Sequence, residues 1–354
     1  MFDFVIAGVQ APVFLLVLVG FTVGIVGGFI GVGGGYMVTP ALIVFGFPGY
    51  MASGIDMTHI AGKGVVSTLR HRQLGNIDWT LALAMVAGTM LGVELGVRTL
   101  VTLKKMGRAS IVLLTTSVVD MFTRFLYTQI ETRRAHRQMK ALANQGRYLG
   151  RELHTSSLPR LFQSIALLPI ERCRTARVVV SMWVIVLVGL VTGFLAGFLG
   201  VGGGFIRVPA LVYLVGASTH IAVGTDLVEI VFSGAYGALR HSIEGHVDMM
   251  AVVFMISGAL FGAQLGSIAT AYVRGPAIRY VLSYSLILAT LGAVMRLSYV
   301  LTGQKLDWLS FLAVMLTLGE MIFLCLFIVS LLLFARRHRK GVWVPEWVKP
   351  LVTT

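Results

Sequence analysis

Three sets of residues in this chain could bind or move charge. The first is a glycine-rich run. Gly31-Val32-Gly33-Gly34-Gly35 returns as Gly200-Val201-Gly202-Gly203-Gly204, an offset of 200 − 31 = 169 residues. The flanks return with it, since Pro40-Ala41-Leu42 answers Pro209-Ala210-Leu211. Polyglycine in an apolar run breaks a helix where each unpaired backbone group costs several kcal/mol, roughly, unless protein, ligand or water satisfies it. A helix start beside such a break offers free N–H groups and a positive dipole end, which suit an anion. Two breaks at matching positions point to a midplane binding site. Gly31, Gly33, Gly34, Gly35, Gly200, Gly202, Gly203 and Gly204 are therefore candidate substrate-binding residues. Tight helix crossing is the plainer explanation of the same glycines.

The second set follows each break. Asp56, His59 and Lys63 fall at i, i+3 and i+7, on one helical face, and Asp226, Glu229 and Ser233 answer them. Ionisable residues deep in an apolar span are costly and mark ion or proton paths. Lys63 could neutralise an anionic substrate, while Asp56, His59, Asp226 and Glu229 could couple or gate by exchanging protons. The competing reading puts them near the interface, and Asp56 is close enough to the turn at Gly49–Gly54 to be a helix cap. Arg207, just past the second break where the first has Val38, could clamp an oxyanion in a forked geometry.

The third set is Arg70-His71-Arg72 with Arg240-His241, at the far ends of the same helices. These residues read equally as electrostatic funnels for an anion or as interfacial anchors. Glu94 and Gln264 lie among packing glycines and are expected to hydrogen-bond across helices. Other chemistry falls away. Gly62-Lys63-Gly64 lacks the upstream glycine and the Ser/Thr of a P-loop. No His-Glu-x-x-His stretch occurs, and His241 and His246, five apart, do not share a helical face. The two cysteines suggest neither a disulfide nor a metal site. No enzyme, cofactor or metal is expected.

The elements that must hold these residues are membrane helices. The chain has 354 residues, 56% hydrophobic and only 12% charged, against roughly 25% charged in soluble domains. Its mean hydropathy is +0.86. Asp3 stands where a signal peptide would be basic, so no cleavable leader is expected. The spacing predicts an all-α integral membrane protein made of two helical repeats of inverted topology. Residues 12–128 form the first repeat and 178–300 the second. Each has a glycine-broken hairpin helix followed by three spans. A further helix covers 308–335. Beyond the breaks the offset becomes 239 − 69 = 170, matching Leu69-Arg70-His71 to Leu239-Arg240-His241, Gly75 to Gly245 and Asp78 to Asp248. Gly20, Gly24 and Gly28 match Gly189, Gly193 and Gly197, and Gly88, Gly92 and Gly96 match Gly258, Gly262 and Gly266. Four-residue glycine spacing lets helix backbones approach closely.

The net charge of +14 concentrates in residues 129–177 and in the tail 336–354. Nucleic acid explains this poorly, and the positive-inside bias of membrane proteins explains it well. Both segments are expected in the cytoplasm, the first as one or two amphipathic helices against anionic lipid headgroups or a regulatory partner. Lys104-Lys105-Met106-Gly107-Arg108 falls on the outer side in this arrangement, against the bias.

Gly28-Phe29-Ile30-Gly31-Val32-Gly33-Gly34-Gly35 with Pro40, residues 52–56 and Gly75-Asn76-Ile77-Asp78-Trp79, answered in the second half by residues 197–204, Pro209, 222–226 and 245–248, resemble the sulfite exporter TauE/SafE family. These are bacterial and archaeal inner-membrane permeases. The resemblance implies transport of sulfite, sulfoacetate or other organosulfonates, with protons as the energy source. The chain departs from the family pattern at Asp56 and Asp226, where Gly-Thr-Ser is common, and in its long basic centre. The expected protein is a multi-pass secondary transporter of the cytoplasmic membrane, its C-terminus inside, moving a small anion by proton-coupled alternating access. Its partners are the anion, protons and lipids, and a homo-oligomer is compatible with the sequence. An uncoupled anion channel and a membrane sensor are the alternatives.

Overall fold

The structure is a computed structural model describing residues 2–4, 6–30, 35–73, 75–144, 169–270, 272, 275–339 and 342–345. A short hairpin, β1 (Phe2–Phe4) and β2 (Val9–Ala11), precedes α1 (Val13–Ile30) and α2 (Gly35–Val44). Then come α3 (Gly49–Gln73), α4 (Trp79–Lys105) and α5 (Ala109–Asn144). A second hairpin, β3 (Ile170–Cys173) and β4 (Val178–Ser181), precedes α6 (Met182–Leu199) and α7 (Gly204–Ala210). The chain runs on from α7 as one π-helical turn, Leu211–Val215. It closes with α8 (Thr219–Ile243), α9 (Met249–Thr270), α10 (Gly275–Leu301) and α11 (Asp307–Arg339).

The protein is thus an all-α integral membrane protein. Among the described residues, seven helices are long and apolar enough to cross a membrane, within α4, α5, α6, α8, α9, α10 and α11. Val13–Phe29 is a shorter apolar helix. Helix α3 has the length of a span, but Asp56, His59, Lys63 and Arg70 dilute its apolar character.

Glycine stripes bring the two halves together. A β-carbon built at Gly20, Gly24 or Gly28 would overlap the carbonyls of Met255, Ala259 and Ala263 in turn. One built at Gly258, Gly262 or Gly266 would overlap those of Val17, Phe21 and Ile25. The order ascends on both helices, so α1 and α9 run parallel, backbone against backbone. Helices α4 and α6 do the same: Gly88, Gly92 and Gly96 meet the carbonyls of Val186, Leu190 and Phe194, and Gly189, Gly193 and Gly197 meet those of Met85, Thr89 and Val93. In membranes, close van der Waals packing of small residues replaces the hydrophobic drive to associate. Helices α3 and α8 cross antiparallel, with Gly64 against Ile230 and Val231, Gly234 against Ala61 and Gly237 against Met57.

Both hairpins dock by one device that the helix pattern does not announce. The Asp78 side chain accepts from the Leu81 amide at 3.2 Å, capping α4, and from the amides of Thr175 and Ala176 in the β3–β4 turn, both at 3.0 Å. Asp248 accepts from Met250 and Ala251 at the start of α9, and at 3.4 Å from Ala7 in the β1–β2 turn. Ala176 is Ala7 shifted by 176 − 7 = 169. The offset of the glycine breaks thus also relates these two turn alanines.

The bundle has two distinct ends. At one, the Gly49 amide donates to Ser110 at 3.1 Å, and Lys104 lies over the Tyr50 ring at 4.3 Å. At the other, Gln129 on α5 donates to Ser283 on α10 at 2.9 Å, and Arg339 lies over Tyr272 at 4.3 Å. Helix α5 continues beyond 128 to Asn144, so the basic segment begins as its extension. Residues 145–168 and 346–354 of the two basic segments lie outside the described residues.

Candidate functional site

The second glycine break is described in full. Helix α6 ends at Leu199, and Gly200, Gly202 and Gly203 take φ of +79°, +70° and +69°. Gly203 has no alternative residue: its φ is left-handed, and a β-carbon there would sit 2.5 Å from Arg207 Nη2 and 2.8 Å from the Thr192 carbonyl. A β-carbon at Gly204 would collide with the Asp226 carboxylate. The break thus brings α7 close enough to α8 for their charged side chains to meet. Of the first break, Gly31, Gly33 and Gly34 lie outside the described residues, and Gly35 opens α2.

Arg207, Asp226 and Glu229 are fully buried and form one cluster. Arg207 Nε lies 3.4 Å from Asp226 Oδ1, without hydrogen-bond alignment. Its Nη1 pairs with Glu229 Oε2, and its Nη2 donates to the Gly202 carbonyl at 2.6 Å. Ser233, one turn on, donates to Glu229 at 3.3 Å. The glycine loop here offers an oxygen to the arginine, so Arg207 as it stands is held by the protein's own acceptors. An anion reaching it has to replace one of them.

Helix α3 carries the other half. Asp56 and His59 are fully buried and Lys63 nearly so. Thr39 on α2 donates to Asp56 Oδ2 at 3.1 Å and to the Leu199 carbonyl at 2.8 Å. Ser53 donates to the Phe198 carbonyl at 3.2 Å. These contacts tie the Asp56 face to the end of α6, where the second break begins. Asp56 lies in the second turn of α3 and holds Thr39, so it is not the cap of that helix. His59 Nδ1 lies 3.9 Å from Asp56 Oδ1. Both nitrogens of His59, Lys63 Nζ, Asp56 Oδ1 and Glu229 Oε1 have no hydrogen-bond partner among the described residues. Native interiors satisfy the large majority of buried polar atoms, so each exception calls for an explanation.

The mouth residues separate. Arg240 is locked across helices, with Nε 2.6 Å from Glu94 Oε2 and Nη2 3.2 Å from Oε1, while Tyr236 donates to the same carboxylate at 3.0 Å. Glu94 does bond across helices as expected, and Arg240 is anchored. The Arg70 side chain lies outside the described residues. Sequence spacing kept His241 and His246 apart, but α8 ends at Ile243 and the chain turns back, placing their Nδ1 atoms 3.4 Å apart. His241 Nε2 meets the Gly197 carbonyl at 3.0 Å. His246, outside the spans, is pushed down to about 3 by burial first and then by the charges of His241 and Lys104. Among the described residues, no cluster of three or more His, Cys, Asp or Glu could hold a metal.

Together these features define a multi-pass helical membrane protein with a buried charge cluster at a broken helix. Residues 16–295 match the sulfite exporter TauE/SafE family, and the chain belongs to that family. It is 26% identical over 261 residues to "Probable membrane transporter protein YunE" of Bacillus subtilis (strain 168), covering 72% of this chain and 86% of the relative. It is 25% identical over 243 residues to "Probable membrane transporter protein MJ0441" of Methanocaldococcus jannaschii, covering 66% and 74%. A "Probable membrane transporter protein" of Xylella fastidiosa (strain Temecula1) is 37% identical over 109 residues, 30% of this chain and 41% of the relative. No solved structure matches the chain at a significant level. Family and relatives make the protein a membrane transporter.

Proposed function

We propose that the protein is a proton-coupled secondary transporter of a small anion, sulfite or an organosulfonate, across the cytoplasmic membrane. The observation that carries this reading is the concentration of buried ionisable residues, Asp56, His59 and Lys63 on α3 with Arg207, Asp226 and Glu229 at the second glycine break. Asp226 and Glu229 lie beside Arg207, and Asp56 shares α3 with Lys63. Arg207 is held by Asp226 and Glu229, so an anion must compete with them for the guanidinium. Protons taken up by those carboxyls release Arg207 to the anion. An unbalanced charge in an apolar core costs several kcal/mol, roughly. Anion and proton therefore occupy the cluster together and leave together, which is co-transport in one direction. Lys63 supplies a second positive group, and Asp56 and His59 tune it.

Two inverted repeats give the alternating access. The antiparallel crossing of α3 and α8, which occupy matching places in the sequence pattern, supports that arrangement. The sulfur anion is taken from the family, whose description is that of a sulfite exporter. Purified protein in proteoliposomes under an imposed pH gradient tests the reading, with sulfite, sulfoacetate, taurine and sulfate compared. Saturable flux of one sulfur anion, rising with the gradient, is expected. Asp226→Asn is expected to keep the fold and lose the gradient dependence. Unsaturable flux indifferent to the gradient would instead describe a channel.

A further inference from the structure

Away from the central cluster lies another buried carboxyl, on the helix that follows the family match. Glu320 stands on α11, 3% exposed, and its Oε1 has no hydrogen-bond partner among the described residues. It lines a cavity with room for about one water molecule. The other walls are Met37, Pro40, Ala41 and Val44 of α2, Ala289 and Ala293 of α10, and Thr317 and Met321 of α11. The only other side-chain polar atom on those walls is the Thr317 hydroxyl, which donates to the Ala313 carbonyl at 2.8 Å. Pro40 has no N–H for the Tyr36 carbonyl one turn back, so α2 brings weakened backbone pairing to the same place.

Among the described residues, no charged side chain faces Glu320 from its neighbours. Helices α1 and α9 contain no Asp, Glu, Lys, Arg, His, Tyr or Cys, and α2 contains only Tyr36. On α10, Arg296 donates to Ser310 at 2.7 Å, about 15 Å along α11 from Glu320, and lies near the Tyr299 ring. Arg279, Tyr280 and Tyr284 precede Ala289 by more than a turn along α10. On α11 itself, Asp307 and Arg336 are more than three turns away, and the Cys325 thiol faces Thr22 at 3.3 Å.

A bare carboxylate in such a cavity would be uncompensated, and intramembrane carboxylates without a partner are costly and functional. We propose that Glu320 is a proton-binding site whose occupancy is tied to the seating of α2. With α2 packed against α10 and α11, Glu320 holds its proton. Losing that proton requires water, and water enters when α2 moves off. Met37, Pro40, Ala41 and Val44 recur at i, i+3, i+4 and i+7, so one face of α2 closes this cavity. Thr39, on another face, holds Asp56 and the Leu199 carbonyl. The short helix after the first glycine break thus links a proton on Glu320 to the central cluster. This inference stands on α2 and α11, whatever anion the cluster carries.

The test uses wild-type protein and E320Q, a neutral mimic of the protonated acid, both in lipid vesicles. Infrared difference spectra across a pH series should show a carboxylic acid C=O band in wild type that shifts in D2O and is missing from E320Q. Hydrogen exchange of the α2 amides, corrected for intrinsic pH dependence, should rise in wild type with the same midpoint at which the band disappears. In E320Q, exchange should stay slow at every pH. A band that survives in E320Q, or wild-type α2 exchange with no pH midpoint, would overturn the proposal. So would a band removed by sodium at constant pH, which would make this a metal-cation site. Should E320Q fail to fold, the shared midpoint in wild type decides alone. None of these readouts depends on flux, so failure here and failure of the transport reading are separable.

Discussion

At Arg207 one side chain holds two carboxyl groups apart, and removing it leaves both facing an apolar core. Breaking one partner out of a buried pair costs about 3–5 kcal/mol, because the remaining charge has no compensation. Arg207→Gln is therefore expected to lower the melting temperature sharply in detergent. The double variant R207Q/E229Q should recover part of that loss, since it removes the orphaned charge as well. A double variant no more stable than R207Q would show that Glu229 is not what Arg207 neutralises. His246 gives a pH prediction. Its pKa is depressed from about 6.5 to about 3, so the unfolded chain binds the extra proton between those values. Its contribution is complete above about pH 6.5 and declines as pH falls toward 3. Melting curves from pH 7 to pH 4 should lose more stability in wild type than in His246→Asn. Asp56, His59, Lys63, Asp226 and Glu229 were legible in the sequence because ionisable residues stand out in apolar runs. The partners of Arg207 were not, because Asp226 and Glu229 reach it only through the fold of the glycine loop. The His241–His246 contact was hidden in the same way, by a helix end that spacing rules carry straight through.

At the scale of elements, the glycine stripes make a quantitative claim. A β-carbon at Gly92 would overlap the Leu190 carbonyl, a backbone atom that cannot swing aside, whereas nothing lies within 4 Å of one at Gly319. Gly92→Ala should cost roughly 1–3 kcal/mol of overpacking. Gly319→Ala should stay within about 0.5 kcal/mol of wild type. Gly262→Ala should behave like Gly92→Ala, because its contact with the Phe21 carbonyl is the counterpart in the other stripe. Equal melting temperatures for G92A and G319A would remove backbone contact as the role of the stripes. Such stripes are legible because a four-residue period of glycine has few other uses in a membrane helix. The hairpins β1–β2 and β3–β4 are not, because three or four residues carry too little alternation to register. What could have marked them is the pair Asp78 and Asp248, each three residues after a turn glycine and just before a helix, the position of a cap.

For the whole molecule, the two basic segments decide orientation. Helix α5 leads into the first from the end where Gln129 meets Ser283, and α11 leads into the second beside Tyr272. Both therefore emerge at one end, as the positive-inside rule requires of two cytoplasmic segments. Lys104, Lys105 and Arg108 stand at the other end, about 28 Å away along α5, where Lys104 rests on the Tyr50 ring. If the basic end is cytoplasmic, the α10–α11 turn at Gln304 faces outward and His338 faces inward. Single cysteines at these two positions test this with a membrane-impermeant maleimide on intact cells. Native Cys173 gives little background, because burial first, then Asp78 and Glu171, push its thiol up to about 12, far from the reactive thiolate. Gln304→Cys should label in intact cells, and His338→Cys only after the membrane is opened. The reverse pattern would place fourteen excess positive charges on a chain oriented against the rule.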